Sequence, residues 1–152
     1  MTEDLMALIK KLREETGAGV MDCKRALADL GDYEKATQAL KEKGIAQAAK
    51  KEGREVAEGL IETYLHANGK VGAMVKVVCE TDFVARTPEF GRFCHEVAMQ
   101  VAACDPPSVE ALLEQEYIRE PGKRISILLA ELIGKLGENI KISDIARFKI
   151  GL

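Results

Sequence analysis

The sequence predicts an α+β protein: a bundle of three short helices, then a small three-stranded antiparallel sheet packed with helices. Three observations point there. Apolar residues recur at helical spacing between caps and glycines over residues 1–45. Two β-rich runs, 60–66 and 71–78, flank Ala67-Asn68-Gly69, and Asn-Gly is the strongest short hairpin signal. Two later segments repeat apolar residues at spacings 0, 3, 4, 7, 8, 11, and an alternating run ends the chain.

In order, Thr2 is a suitable N-cap, with Glu3 and Asp4 where the helix dipole favours acids. Leu5, Leu8, Ile9 and Leu12 form the stripe of the first helix, which Thr16-Gly17-Ala18-Gly19 breaks. The second helix sets Val20, Cys23, Leu27 and Leu30 on one face and stops at Gly31. Asp32 caps the third, which carries Ala36, Ala39 and Leu40 and is expected to end at Gly44. So small a bundle has a marginal core. Residues 46–56 include Ala-Gln-Ala-Ala-Lys-Lys-Glu-Gly-Arg, a helix extension or a tether, and the reading favoured is a basic linker. The division expected is thus 1–45 bundle, 46–56 linker and 57–152 α+β core.

Beyond the hairpin, Thr87 caps a helix with Pro88 at its first position. Phe90, Phe93, Cys94, Val97, Ala98 and Val101 make its stripe, and Asp105-Pro106-Pro107 ends it. A short helix is expected over 109–116, then an amphipathic one on Ile125, Leu128, Leu129, Leu132, Ile133 and Leu136, stopped by Gly137. The last strand sets Ile140, Ile142, Ala146, Phe148 and Ile150 on one face, against Lys141, Ser143, Arg147 and Lys149. Asp144 and Ile145 break that alternation, and a bulge or an edge would reconcile them.

Composition narrows the function classes. A net charge of -3, from 22 basic and 25 acidic residues, argues against nucleic acid as the main partner. Cys23, Cys79, Cys94 and Cys104 form no Cys-x-x-Cys pair, so no metal site is expected, nor any cofactor. Free, buried thiols suit a reducing, cytoplasmic setting. No run of about 18 apolar residues is present, so no membrane span is expected. The chain enters a helix at once, without a charged-then-apolar leader, as a cytosolic protein or the mature form of an organellar one would.

Residues 79–86, Cys-Glu-Thr-Asp-Phe-Val-Ala-Arg, carry the most information. They join a strand to a capped helix, which puts the Asp82 carboxylate beside the Phe83 ring in a connection, where folds place groups meant for partners. Two readings stay open on residue chemistry: the ring tucks back over the core, or it is presented outward.

Residues 12–27, Leu-Arg-Glu-Glu-Thr-Gly-Ala-Gly-Val-Met-Asp-Cys-Lys-Arg-Ala-Leu, resemble the first signature of the bacterial translation elongation factor Ts family, and 79–86 resemble its second. Ala48-Ala49-Lys50-Lys51, Gly137-Glu138-Asn139-Ile140 and Arg147-Phe148 are similar to it too. The resemblance implies a ubiquitin-associated-like bundle that docks on the G domain of a GTPase, elongation factor Tu. It implies that Asp82 and Phe83 intrude near the magnesium site and promote GDP release, without catalysing a covalent reaction. Arg13, Val20, Met21 and Lys24 match the docking surface, and His66 matches a core histidine that faces another domain of the GTPase. Short family members carry one core copy and are expected to pair, so the resemblance implies a homodimer, with the last strand as a candidate edge.

The chain departs from the family at Lys76 and Val78, where an acid and a small polar residue are common. It also reads as cut short by some tens of residues between Ala103 and Leu112 relative to its relatives. Three other readings compete. Cys79 with His66 or His95 would be a thiol nucleophile and base, though no third orienting group is evident. Gly17-Ala18-Gly19 ahead of a helix would bind phosphate, though no strand precedes it. A non-catalytic module would bind a partner without exchange.

Overall fold

A computed structural model describes residues 3–151. The cap expected at Thr2 and the side chain of Glu3 lie outside the described residues. In chain order the elements are α1 (Glu3–Thr16), α2 (Val20–Leu30), α3 (Tyr33–Ala48), a 3-10 turn (Ala49–Lys51), β1 (Glu58–Leu65) and β2 (Val71–Cys79). They continue with α4 (Asp82–Ala85), α5 (Pro88–Cys104), α6 (Val109–Glu114), α7 (Ile125–Leu136) and β3 (Ile140–Lys149). The fold is α+β, as the periodicities predict. The chain divides into two units, Met1–Gly53 with Ala130–Glu138, and Arg54–Leu129 with Asn139–Leu152, so the division cuts through α7.

In the first unit, Ile9, Leu12, Cys23, Ala36 and Leu40 form the core. The stripe on α1 predicts two of them. On α2, Cys23 is buried and Leu27 packs beside it, but Val20 and Leu30 are exposed, contrary to the expected inner face. Gly31 takes a left-handed conformation at φ 66° and donates its N–H to the Leu27 carbonyl, and the Asp32 carboxylate accepts from the Glu34 N–H at 2.9 Å.

Gly44 does not end α3. The helix runs on to Ala48 and closes with the 3-10 turn, so the first half of the expected linker is helical. Good helix formers around it (Lys43, Ala46, Gln47, Ala48) carry the helix past one glycine. The glycine itself has a packing reason: a Cβ built on Gly134 would stand 2.8 Å from the Gly44 Cα.

In the second unit the sheet order is β1-β2-β3, antiparallel throughout. β2 is central and buries Ala73, Val75, Val77 and Cys79, while α5 adds Phe90, Phe93, Val97 and Val101 to the core. The fully buried Gln100 on α5 donates its Nε2 to the Glu116 carbonyl (3.0 Å) and accepts from the Ile118 N–H (3.1 Å). That satisfies a buried amide and ties the segment after α6 to α5.

The irregularity expected near Asp144 is a bulge. Lys76 pairs with Asp144 and Val77 with Ile142, leaving Ser143 over. An odd insertion flips every later side chain, so the face assigned beyond it needs correcting. Ile145 and Arg147 turn inward, and Phe148 is 81 % exposed. Arg147 Nε donates to the Ala102 carbonyl at 2.9 Å, and its guanidinium lies 3.4 Å from Asp105. The outer face of the sheet thereby exposes Ile61, Leu65, Met74 and Phe148.

Candidate functional site

The site begins where β2 ends. The Cys79 thiol donates to the Thr81 carbonyl at 3.2 Å. Glu80 accepts from the Asn139 N–H at 2.6 Å and lies 3.5 Å from the Arg54 guanidinium, and the Asn139 amide donates to the Arg54 carbonyl at 2.7 Å. One carboxylate thus ties three distant stretches of chain together at the root of the connection.

Beyond Thr81 the connection between strand and helix itself contains a one-turn helix. Thr81 caps α4, its Oγ1 accepting from the Val84 N–H at 3.3 Å. Thr87 closes the other end by donating to the Val84 carbonyl at 2.8 Å, and accepts from the Phe90 N–H to cap α5. Val84 and Ala85 are buried and anchor the turn. Phe83, on the opposite side, is 87 % exposed. The ring does not tuck over the core.

Asp82 pairs with Arg86 at 2.7 Å, one helical turn on, with both side chains largely in water. Such a pair orients more than it stabilises. Burying the ring against a partner would contribute roughly 1.5–3 kcal/mol. The tip therefore offers an apolar wedge beside a carboxylate.

The first unit carries the other group of candidate residues. Arg13 and Val20 line a groove of about 480 Å³ with Met6, Ile9, Lys10, Glu14 and Gly17. Met21, 64 % exposed, and Lys24 lie on α2 outside that lining. Met6 and Lys10 were missed by sequence reasoning, although their spacing to Arg13 sets all three on one face of α1. His66 follows β1, donates its backbone N–H to the Val71 carbonyl at 2.9 Å and is exposed at the hairpin end of the sheet. It lines a separate cavity of about 370 Å³ with Tyr64, Ile118, Arg147 and Lys149, among others.

His66 is not placed to serve the Cys79 thiol as a base. Cys79 pairs with Glu58 at one end of β1, whereas His66 lies beyond the other end, roughly 25 Å away at strand spacing. His95 packs edge-on to the Tyr64 ring, 5.9 Å between centroids. Burial pushes the Cys94 thiol up to about 12, with Glu62 adding to it, so that sulfur stays protonated. The Gly17 turn lies against the Lys135 carbonyl rather than framing an anion site. Among the described residues no group of three or more His, Cys, Asp or Glu is placed to hold a metal.

Comparison with known proteins agrees with the signatures. The family model described as Elongation factor TS matches residues 80–151. Elongation factor Ts of Caldanaerobacter subterraneus subsp. tengcongensis is 43 % identical over 189 positions, covering 94 % of each chain. That of Desulfosudis oleivorans is 39 % identical over 191, covering 95 % of this chain and 96 % of the relative. Both alignments exceed the 152 residues of this chain, so these relatives carry tens of residues that it lacks. Elongation factor Ts of Clostridium kluyveri is 48 % identical over 144 positions, which span 94 % of this chain and 47 % of the relative.

Proposed function

Because the chain belongs to the elongation factor Ts family, we propose that it is a guanine-nucleotide exchange factor for elongation factor Tu, working in translation elongation. The observation that carries the reading is Phe83, 87 % exposed on a turn capped at both ends by threonines. An aromatic ring held in water on a rigid turn loses little entropy when a partner buries it. Asp82 beside it brings a carboxylate towards the magnesium and phosphate site.

Exchange needs no covalent chemistry. Magnesium and GDP reinforce each other across the phosphates, so disturbing the metal loosens the nucleotide. By linkage, a factor that lowers GDP affinity binds the GDP form more weakly by the same ratio, and prefers the nucleotide-free GTPase. The three-helix bundle of residues 1–45 acts as a ubiquitin-associated-like docking domain, with Arg13, Val20, Met21 and Lys24 on its contact surface, and His66 meets a second domain of the GTPase.

We further propose that the protein works in the cytoplasm as a homodimer through its core domain. No helix among the described residues is long and apolar enough to cross a membrane. Ile61, Leu65, Met74 and Phe148 give the sheet an exposed apolar face, with Lys76 and Asp144 paired with each other at 3.9 Å in its middle. This surface replaces the strand edge as the candidate contact.

Release of labelled GDP from elongation factor Tu tests the reading. The rate should rise steeply with added protein, and Phe83→Ala should lower it by roughly ten-fold or more at saturation. Binding without acceleration would leave a non-catalytic module. Solution mass on the same sample reports the dimer.

A further inference from the structure

The N-terminal unit contains a further segment that its sequence neighbourhood does not supply, Ala130–Glu138, the end of α7 and the two residues after it. Its contact is backbone on backbone. Gly134 faces Gly44, and a Cβ on Gly134 would lie 2.8 Å from the Gly44 Cα and 3.0 Å from its carbonyl carbon. One residue on, the Lys135 carbonyl oxygen fills the space where a side chain on Gly17 would stand, and Gly17 holds φ 72°. No rotamer change relieves either contact, because backbone lies on both sides.

Gly17 also lines the groove with Arg13 and Val20, and its N–H bonds the Arg13 carbonyl at 2.8 Å. The turn that sets the entry of α2, and with it the direction of Val20, Met21 and Lys24, therefore rests on Lys135. We infer that Gly134 and Gly44 are positioning residues for the docking surface: their close approach seats the end of α7 under the turn at Gly17 and so sets the groove. The inference rests on the exchange-factor reading and deepens it. It gives one reason for a glycine at position 17, in the first signature, and another for a glycine inside α3.

The test uses the full chain. Gly134→Ala and the milder Gly44→Ala, whose Cβ would meet the Gly134 Cα at 3.3 Å, are compared with Gly91→Ala in α5, where a Cβ meets nothing within 4 Å. In GDP release from elongation factor Tu, the half-maximal protein concentration should rise roughly ten-fold for Gly134→Ala and less for Gly44→Ala. The rate at saturation should stay within about two-fold of the parent, and Gly91→Ala should change neither. Hydrogen exchange at the Gly17 amide should quicken in the same order.

An unchanged half-maximal concentration in both variants overturns the inference. So does a lower saturating rate at an unchanged half-maximal concentration, which marks a defect in exchange and not in docking; because unfolded protein would itself raise the half-maximal concentration, concentrations are counted as folded protein by circular dichroism. Should Gly134→Ala fail to fold, Gly44→Ala decides. If the parent protein itself releases no GDP, the exchange reading fails, and exchange at the Gly17 amide alone judges the positioning.

Discussion

Phe83 on α4 and Phe90 on α5 belong to consecutive helices, both capped by threonine, yet the first is 87 % exposed and the second fully buried. Around Phe90, the stripe of a five-turn helix closes on the sheet. Around Phe83, one turn has only Val84 and Ala85 to anchor it, and the aromatic points away from both. The same side chain thus sits on two different links of the chain from sequence to function. Phe90 contributes to stability, while Phe83 leaves its apolar surface unused by the fold and open to a partner.

The sharpest way to break this contrast is to truncate each ring. Phe90→Ala should cost about 3–5 kcal/mol in urea unfolding followed by circular dichroism, and Phe83→Ala within about 0.5 kcal/mol. A comparable loss at Phe83 would mean that its ring supports the fold after all.

Alkali probes the buried side. Desolvation raises the Cys94 thiol from its ordinary 9.0 to about 12. Because the folded value lies above the unfolded one, its contribution is fully present below pH 9 and is lost as the pH climbs towards about 12. Over that window stability should fall by up to about 1.4 kcal/mol per pH unit from this group. Urea midpoints measured from pH 8 upward should show a shallower decline in Cys94→Ala; an identical slope would remove the thiol from the account.

The smallest effects separate the two supports of the tip. Thr81→Ala removes a cap and should cost about 1 kcal/mol, whereas Arg86→Ala, at an exposed ion pair, should cost a few tenths at most. The same urea titration reads both. The reverse order would make the Asp82–Arg86 pair, not the cap, the support of α4.

Much of this was legible in the residue order. Thr87-Pro88, Gly31-Asp32 and Asn68-Gly69 mark ends and turns through bonds that span only a few residues. The stripes of α5 and α7 needed no partner to be read, and the break at Asp144–Ile145 announced the bulge. The tip was legible as a place, but its form was not: α4 depends on Thr81 and Thr87 acting together, and on Val84 finding the core. Glu80 could not be read at all, since its bond to Asn139 reaches across 59 positions.

By itself, then, the sequence determined the local grammar, meaning helix periods, caps and the hairpin, together with the family signatures at 12–27 and 79–86. Tertiary structure decided the rest. It chose which side of β3 carries Phe148, because one extra residue at Ser143 inverts every later position. It gave position 44 a reason to be glycine inside a helix, because Gly134 needs the room. It left Phe83 in water, because a single turn has one buried side, and Val84 and Ala85 already occupy it. Local bonds can be read from neighbours; close approach and sidedness exist only once distant segments meet.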